Sequence, residues 1–149
     1  MPKPILCDTD VMVDFLRGEA KAVELVQAHS AWIILSSVVA AELHAGVRGD
    51  EELNKLDGLI SLFRIVPVSL DLARAGGLLK MKYGKSHGVS LADAIIAATA
   101  EAADADLKTL NTKQYPMVKG LKPAYTERHD TGRFMQREGK KGKGKPKKK

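Results

Sequence analysis

One cysteine, Cys7, stands alone in a chain of 149 residues, so no intramolecular disulfide can form. That usage suits a reducing, cytoplasmic setting, and Cys7 reads as a small core residue, not a nucleophile. No apolar run approaches the roughly 18 residues that would span a bilayer, and Met-Pro-Lys-Pro lacks the apolar core of a secretory signal. Histidine is sparse and scattered (His29, His44, His87, His129), and no cysteine–histidine spacing fits a zinc site. Aromatics make up only 5% of the chain, and there is no internal repeat. What remains is ordinary for a globular domain, with 44% hydrophobic and 28% charged residues.

The net charge of +6 belongs to one end. Without Arg137–Lys149, Lys plus Arg falls from 24 to 16 and Asp plus Glu from 18 to 17. The expected division is therefore a folded domain over 1–127 and a basic, unfolded tail over 128–149, because Lys/Gly low complexity buries too little apolar surface to fold.

Within the domain, Ile5-Leu6-Cys7 reads as a buried strand running into Asp8-Thr9-Asp10, where Thr9 or Asp10 can cap a helix carried by Val11, Val13, Phe15 and Leu16 and stopped by Gly18. Asp8 then lies at the carboxyl end of a strand, where open α/β sheets place their ligands. Helices are expected over Glu19–His29, from Ser36 or Ser37 through Val47, over Asp50–Phe63, from Ser69 or Asp71 to about Met81, and over Ser90–Ala103. Strands are expected at Ala31–Leu35, Arg64–Val68, Asp106–Leu110 and weakly at Leu121–Tyr125, with Tyr83–Val89 a loop. Strands alternating with helices predict an α/β sandwich with a mainly parallel sheet. The apolar residues of the first and fourth helices, among them Val11, Met12, Leu16, Leu53 and Leu56, exceed what a small sheet needs, leaving surface for a partner helix.

Three acids stand out. On a helical wheel Glu42 falls between Val38 and Val39, within the apolar arc, where a carboxylate needs a partner or a metal; a glutamate at the rim of the core whose head reaches water has the same pattern. Asp93 follows the cap Ser90 in the first turn of an alanine-rich helix. Asp8 ends the first strand. Asn111 follows the last strong strand, in a position that also suits a plain turn.

Four stretches carry a resemblance. Ile5–Gly18 is similar to the opening of PIN-domain nucleases, especially VapC-type toxins of toxin–antitoxin pairs. Ser36-Ser37-Val38-Val39-Ala40-Ala41-Glu42-Leu43 with Gly46 resembles their second motif, Ser86–Ala100 their third, and Thr109–Pro116 their fourth. The likeness spans about Ile5 to Leu121 in the family's order. It implies a PIN-like three-layer α/β/α sandwich and a metal-dependent endoribonuclease. By the same resemblance, Asp8, Glu42 and Asp93 hold the metal and Asn111 fills the fourth polar position. Asp10 and Asp14 have accessory roles at most, and the chain departs from the family at Gln114, where an Asp is common. An all-oxygen donor set suits Mg²⁺, with Mn²⁺ as substitute. The resemblance further implies an RNA substrate, a cognate antitoxin and a homodimer.

Arg74, Lys80, Lys82 and Lys85 precede the third motif and could guide RNA; a solvated helix face has the same pattern. Two rival readings stand beside the nuclease: a non-catalytic RNA-binding module, and a haloacid-dehalogenase-type phosphatase with Asp8 as nucleophile.

Overall fold

Four short strands, β1 (Ile5–Cys7), β2 (Ile33–Ser36), β3 (Arg64–Val66) and β4 (Asp106–Lys108), form one parallel sheet in the order β3-β2-β1-β4. The structure is a computed structural model that describes residues 2–126; the expected basic tail over 128–149 lies outside them. Six helices flank the sheet in a three-layer α/β/α arrangement: α1 (Thr9–Leu16), α2 (Ala20–Ala28), α3 (Ser37–Ala45), α4 (Gly49–Ile60), α5 (Leu70–His87) and α6 (Leu91–Ala102). Sheets of this kind are covered on both faces, so their central strands are apolar throughout. Every residue of β1 and β2 is indeed buried.

The chain runs from β1 outward through β2 to β3, then crosses to β4 on the other flank of β1. The strand order therefore reverses between β1 and β4, and a crevice opens at the carboxyl ends on either side of such a switch point. Asp8 and Thr109 sit there, joined across the strands by the Asp8 N–H donating to the Lys108 carbonyl at 2.9 Å.

Leu6, Cys7, Val11, Met12, Leu35, Val39, Leu43, Leu56 and Ile96 form the fully buried centre. Burial pushes the Cys7 thiol up to about 12, which keeps it protonated and inert as expected. The apolar surplus on the first helix is core: Val11, Met12 and Leu16 are buried in the domain, as is Leu56 of α4. The uncovered apolar side chains are instead Leu70, Leu78 and Met81 of α5, with Trp32, Leu53, Leu62 and Leu91.

Several element boundaries differ from expectation: Ala31 and Trp32 form a 3₁₀ turn ahead of β2, and β3 and β4 stop at Val66 and Lys108, short of Val68 and Leu110. The Tyr83–Val89 loop is mostly helix, because α5 continues to His87 and stops only where Gly88 takes a left-handed conformation at φ +67°. Leu121–Tyr125 is not a strand: its tie to the sheet is the Ala124 N–H donating to the Thr109 carbonyl at 2.9 Å. On the far side, His44 of α3 clamps α4 through Asp57 at 2.8 Å. That hydrogen bond raises the imidazole pKa, so the clamp is at full strength at acid pH and is lost as pH rises through the raised value.

Candidate active site at the carboxyl edge of the sheet

Asp8 ends β1 and caps α1. Its Oδ1 accepts from the Thr9 N–H at 2.8 Å. Its Oδ2 accepts from the Tyr115 hydroxyl at 2.7 Å and the Thr109 hydroxyl at 2.9 Å. A buried carboxylate survives only when its oxygens are satisfied in this way. Thr109 is itself fully buried just past β4.

Asp93 reaches the same place from α6. Ser90 caps that helix by accepting from the Asp93 N–H at 3.1 Å, which puts the acid in the first turn. Its Oδ1 lies 3.2 Å from the Tyr115 hydroxyl, which has one proton and gives the stronger bond to Asp8. Partial burial raises the Asp93 pKa, and the charges of Asp8 and Glu42 raise it further.

Glu42 arrives by a third route. It is exposed, not core-facing: Val39 and Leu43 are the buried residues of α3, and Glu42 stands at the rim beside half-buried Val38. The wheel's placement of Glu42 within the core-facing arc does not hold; the alternative of a glutamate at the rim, its head in water, does. Its Oε1 accepts from the Thr9 hydroxyl, next in sequence to Asp8.

Asp10, given at most an accessory role from sequence, is tightly held. Its Oδ2 accepts from the Leu110 N–H at 3.0 Å and lies 3.3 Å from the Thr109 hydroxyl, stitching α1 to the end of β4. Its Oδ1 is sealed from solvent without a hydrogen-bond partner among the described residues. Burial and the neighbouring Asp8 push its carboxyl up to about 7. Asp14 is buried and bonded to the Tyr125 hydroxyl at 2.9 Å.

Asn111 is exposed, and its N–H donates to the Thr109 hydroxyl oxygen at 3.1 Å. Gln114 is half-buried in the single turn Thr112–Gln114. The four basic residues all lie exposed on α5. Lys80 spans the mouth of α6, its ammonium donating to the Val89 carbonyl at 2.8 Å, while Lys82 lies 5.4 Å from the Tyr83 ring centre.

The Tyr115 hydroxyl, with its one proton, thus stands between Asp8 and Asp93, and Thr9 bonds Asp8 through its N–H and Glu42 through its hydroxyl. As placed, no three His, Cys, Asp or Glu side chains among the described residues enclose an ion. The hydroxyls of Thr9, Thr109 and Tyr115, which sequence reading did not single out, stand between the acids. Tyr115 lies within the Thr109–Pro116 stretch, yet its local pattern, one aromatic in a turn before a proline, does not mark its hydroxyl as a partner of Asp8.

Comparison with known proteins identifies the arrangement. Residues 5–118 match the PIN domain family. Ribonuclease VapC19 of Mycobacterium tuberculosis is 42% identical over 124 residues, covering 80% of this chain and 98% of that protein. Ribonuclease VapC10 of the same organism is 39% identical, covering 81% and 92%. Among solved structures, the toxin–antitoxin complex from Klebsiella pneumoniae contains a chain that is 28% identical with a TM-score of 0.67, covering 81% of this chain and 98% of that one.

Proposed function

The chain belongs to the PIN-domain family, on the side of its VapC-type ribonucleases, and from that premise we propose that it is the endoribonuclease toxin of a toxin–antitoxin pair, cutting RNA phosphodiesters by metal-assisted hydrolysis. The observation that supports this most is the gathering of Asp8, Asp93 and Glu42, from three separate elements, at one end of the sheet through Tyr115 and Thr9. Structural acids spread over a surface have no need of such wiring.

The residues suit a hard divalent cation, Mg²⁺ or Mn²⁺. All donors are oxygens, like charges crowd one rim, and a buried Asp10 oxygen lacks any partner among the described residues. Asp8, Glu42 and Asp93 would hold the ion. When bound, it lowers the pKa of a coordinated water and offsets charge on the phosphate. Asp8 is fixed by its three donors, Asp93 is presented at a helix mouth, and Asn111 at the exposed rim would orient water or substrate. Asp8 makes a poor phosphoenzyme nucleophile, since both of its oxygens are engaged and it is buried.

The partners we propose are RNA, an antitoxin protein and a second copy of the chain, in a cytoplasmic setting. Leu70, Leu78 and Met81 on α5 offer apolar surface for a protein partner. No helix of the described residues is long and apolar enough to cross a membrane.

A cation that relieves carboxylate crowding leaves a pH signature. Asp10 is pushed up to about 7 and Asp93 is also raised, so between about pH 4 and 7 the folded chain holds protons that the unfolded chain releases. In chelator, stability should therefore fall as pH rises through this window, by up to about 1.4 kcal/mol per pH unit for one proton. Added Mn²⁺ should raise the melting temperature more at pH 7.5 than at pH 5.5, because its ligands must be deprotonated. Differential scanning calorimetry at both pH values checks this; an equal shift at both pH values contradicts it.

The basic face of α5 has its own test. Lys82 and Lys85 are exposed, and neither closes the α6 mouth as Lys80 does. If each meets a phosphate, Lys82→Ala with Lys85→Ala should reduce the slope of log K for single-stranded RNA against log salt by about 1.4. An unchanged slope in fluorescence anisotropy would assign these lysines to plain solvation.

A further inference from the structure

Tyr115 is the largest fully buried side chain of the described residues. Its ring lies just past the Thr112–Gln114 turn, whose Thr112 carbonyl accepts from its N–H at 3.0 Å. Packing alone would be served as well by phenylalanine. The hydroxyl is set against two carboxylates 85 residues apart in sequence, 2.7 Å from Asp8 Oδ2 and 3.2 Å from Asp93 Oδ1.

These two acids differ in how firmly they are held. Asp8 is buried and has further donors in Thr9 and Thr109. Asp93 is half-exposed, and its carboxylate has only the hydroxyls of Ser90, on its own helix, and Tyr115, from across the site, as side-chain hydrogen-bond partners among the described residues. Without the phenol, repulsion from Asp8 favours a rotamer that swings Asp93 toward solvent. With it, the single phenol proton lies between the two acceptor oxygens, bonding Asp8 Oδ2 at 2.7 Å and attracting Asp93 Oδ1 at 3.2 Å. Asp8 still keeps lone-pair capacity after its three bonds, since a carboxylate has about four acceptor sites.

We infer that Tyr115 is a positioning residue whose hydroxyl fixes the span between Asp8 and Asp93 and thereby sets the affinity of this site for a divalent cation. The inference rests on the metal-dependent reading above. Groups that orient metal ligands from outside the coordination sphere change affinity by about 10–100-fold when removed, and Tyr115→Phe removes the hydroxyl while keeping the ring.

Mn²⁺ binding to the full chain, measured by calorimetry without RNA, should weaken by about 10–100-fold in Tyr115→Phe. The Mn²⁺ concentration for half-maximal RNA cleavage should rise by the same factor, with the rate restored at saturating Mn²⁺. A purely structural role would lower the melting temperature and leave the Mn²⁺ affinity of the folded fraction unchanged, and that result overturns the inference while the nuclease reading stands. Tighter binding in the variant also overturns it, since the phenol would then compete with the ion. Absence of Mn²⁺ binding to the wild-type chain overturns the metal reading itself. Should Tyr115→Phe fail to fold, tyrosine labelled with ¹³C at Cζ decides the matter in the wild-type protein. The Tyr115 resonance should move with the midpoint of Mg²⁺ binding, and a resonance indifferent to Mg²⁺ refutes the inference.

Discussion

Asp93→Asn should abolish RNA cleavage while leaving the protein as stable as before or more so. The expected loss in rate at saturating Mg²⁺ is on the order of 10³-fold, about 4 kcal/mol of transition-state stabilisation. The fold should survive because the cap of α6 is the Ser90 hydroxyl accepting from the Asp93 backbone N–H, which the substitution keeps, and the Ser90 contact to the carboxylate can pass to the amide oxygen. An asparagine Oδ1 can still accept from the Tyr115 hydroxyl. Removing the charge also relieves repulsion from Asp8 and Glu42, the neighbours that help raise the Asp93 pKa. Lost activity with an undiminished melting temperature separates chemistry from folding.

The same substitution at position 8 discriminates less well. Asp8 accepts from a backbone N–H and two hydroxyls, and an amide nitrogen placed against those donors leaves a buried group unsatisfied, at about 1–3 kcal/mol. The cellular counterpart is growth arrest on expression, relieved by Asp93→Asn. Cleavage by Asp93→Asn at the wild-type rate in Mg²⁺ would remove this carboxylate from the mechanism. RNA binding with no Mg²⁺-dependent cleavage by the wild-type chain would favour the non-catalytic reading.

How far the sequence could be read depends on what each residue's neighbours in sequence reveal. Asp8 and Asp93 were legible because each closes a local pattern, an apolar strand in one case and a serine-capped helix in the other. The parallel sheet followed from alternation of strand and helix, and its observed order adds a switch point that no local pattern encodes. Glu42 shows where periodicity stops: the wheel places it on the apolar side of α3, yet α3 dips into the core along Val39 and Leu43 and leaves Glu42 at the rim. Tyr115 and Thr109 were illegible because their partner Asp8 lies about 100 residues away.

Gly84 misled for a physical reason. It read as a loop residue, yet it sits inside α5, where a Cβ would come within 3.2–3.3 Å of the Lys80 side chain. The lysine passes over this gap to reach the Val89 carbonyl. The glycine therefore makes room for a crossing side chain and does not end a helix.

A glycine pair in the same helix gives the largest expected effect on stability, with opposite signs at adjacent positions. Gly76 and Gly77 both lie within α5, where glycine costs about 1 kcal/mol relative to alanine. At Gly77 an added Cβ meets nothing within 4 Å, so Gly77→Ala should stabilise by up to about 1 kcal/mol. At Gly76 the same Cβ would lie 2.5 Å from Ile95 Cγ1 and 2.9 Å from Ile95 Cα on α6. A side-chain tip could rotate away, but a backbone carbon can retreat only if the two helices part. Overpacking of this kind costs about 1–3 kcal/mol, enough to outweigh the gain in helix propensity. Gly76→Ala should thus lower the melting temperature by several degrees, at about 4 °C per kcal/mol for a domain of this size. Because α6 carries Asp93, the displacement should also weaken Mn²⁺ binding, whereas Gly77→Ala leaves it intact. Thermal melts of the two variants decide the point: stabilisation of both would show that α5 and α6 do not touch through Gly76, and that Asp93 is not held in place by that contact.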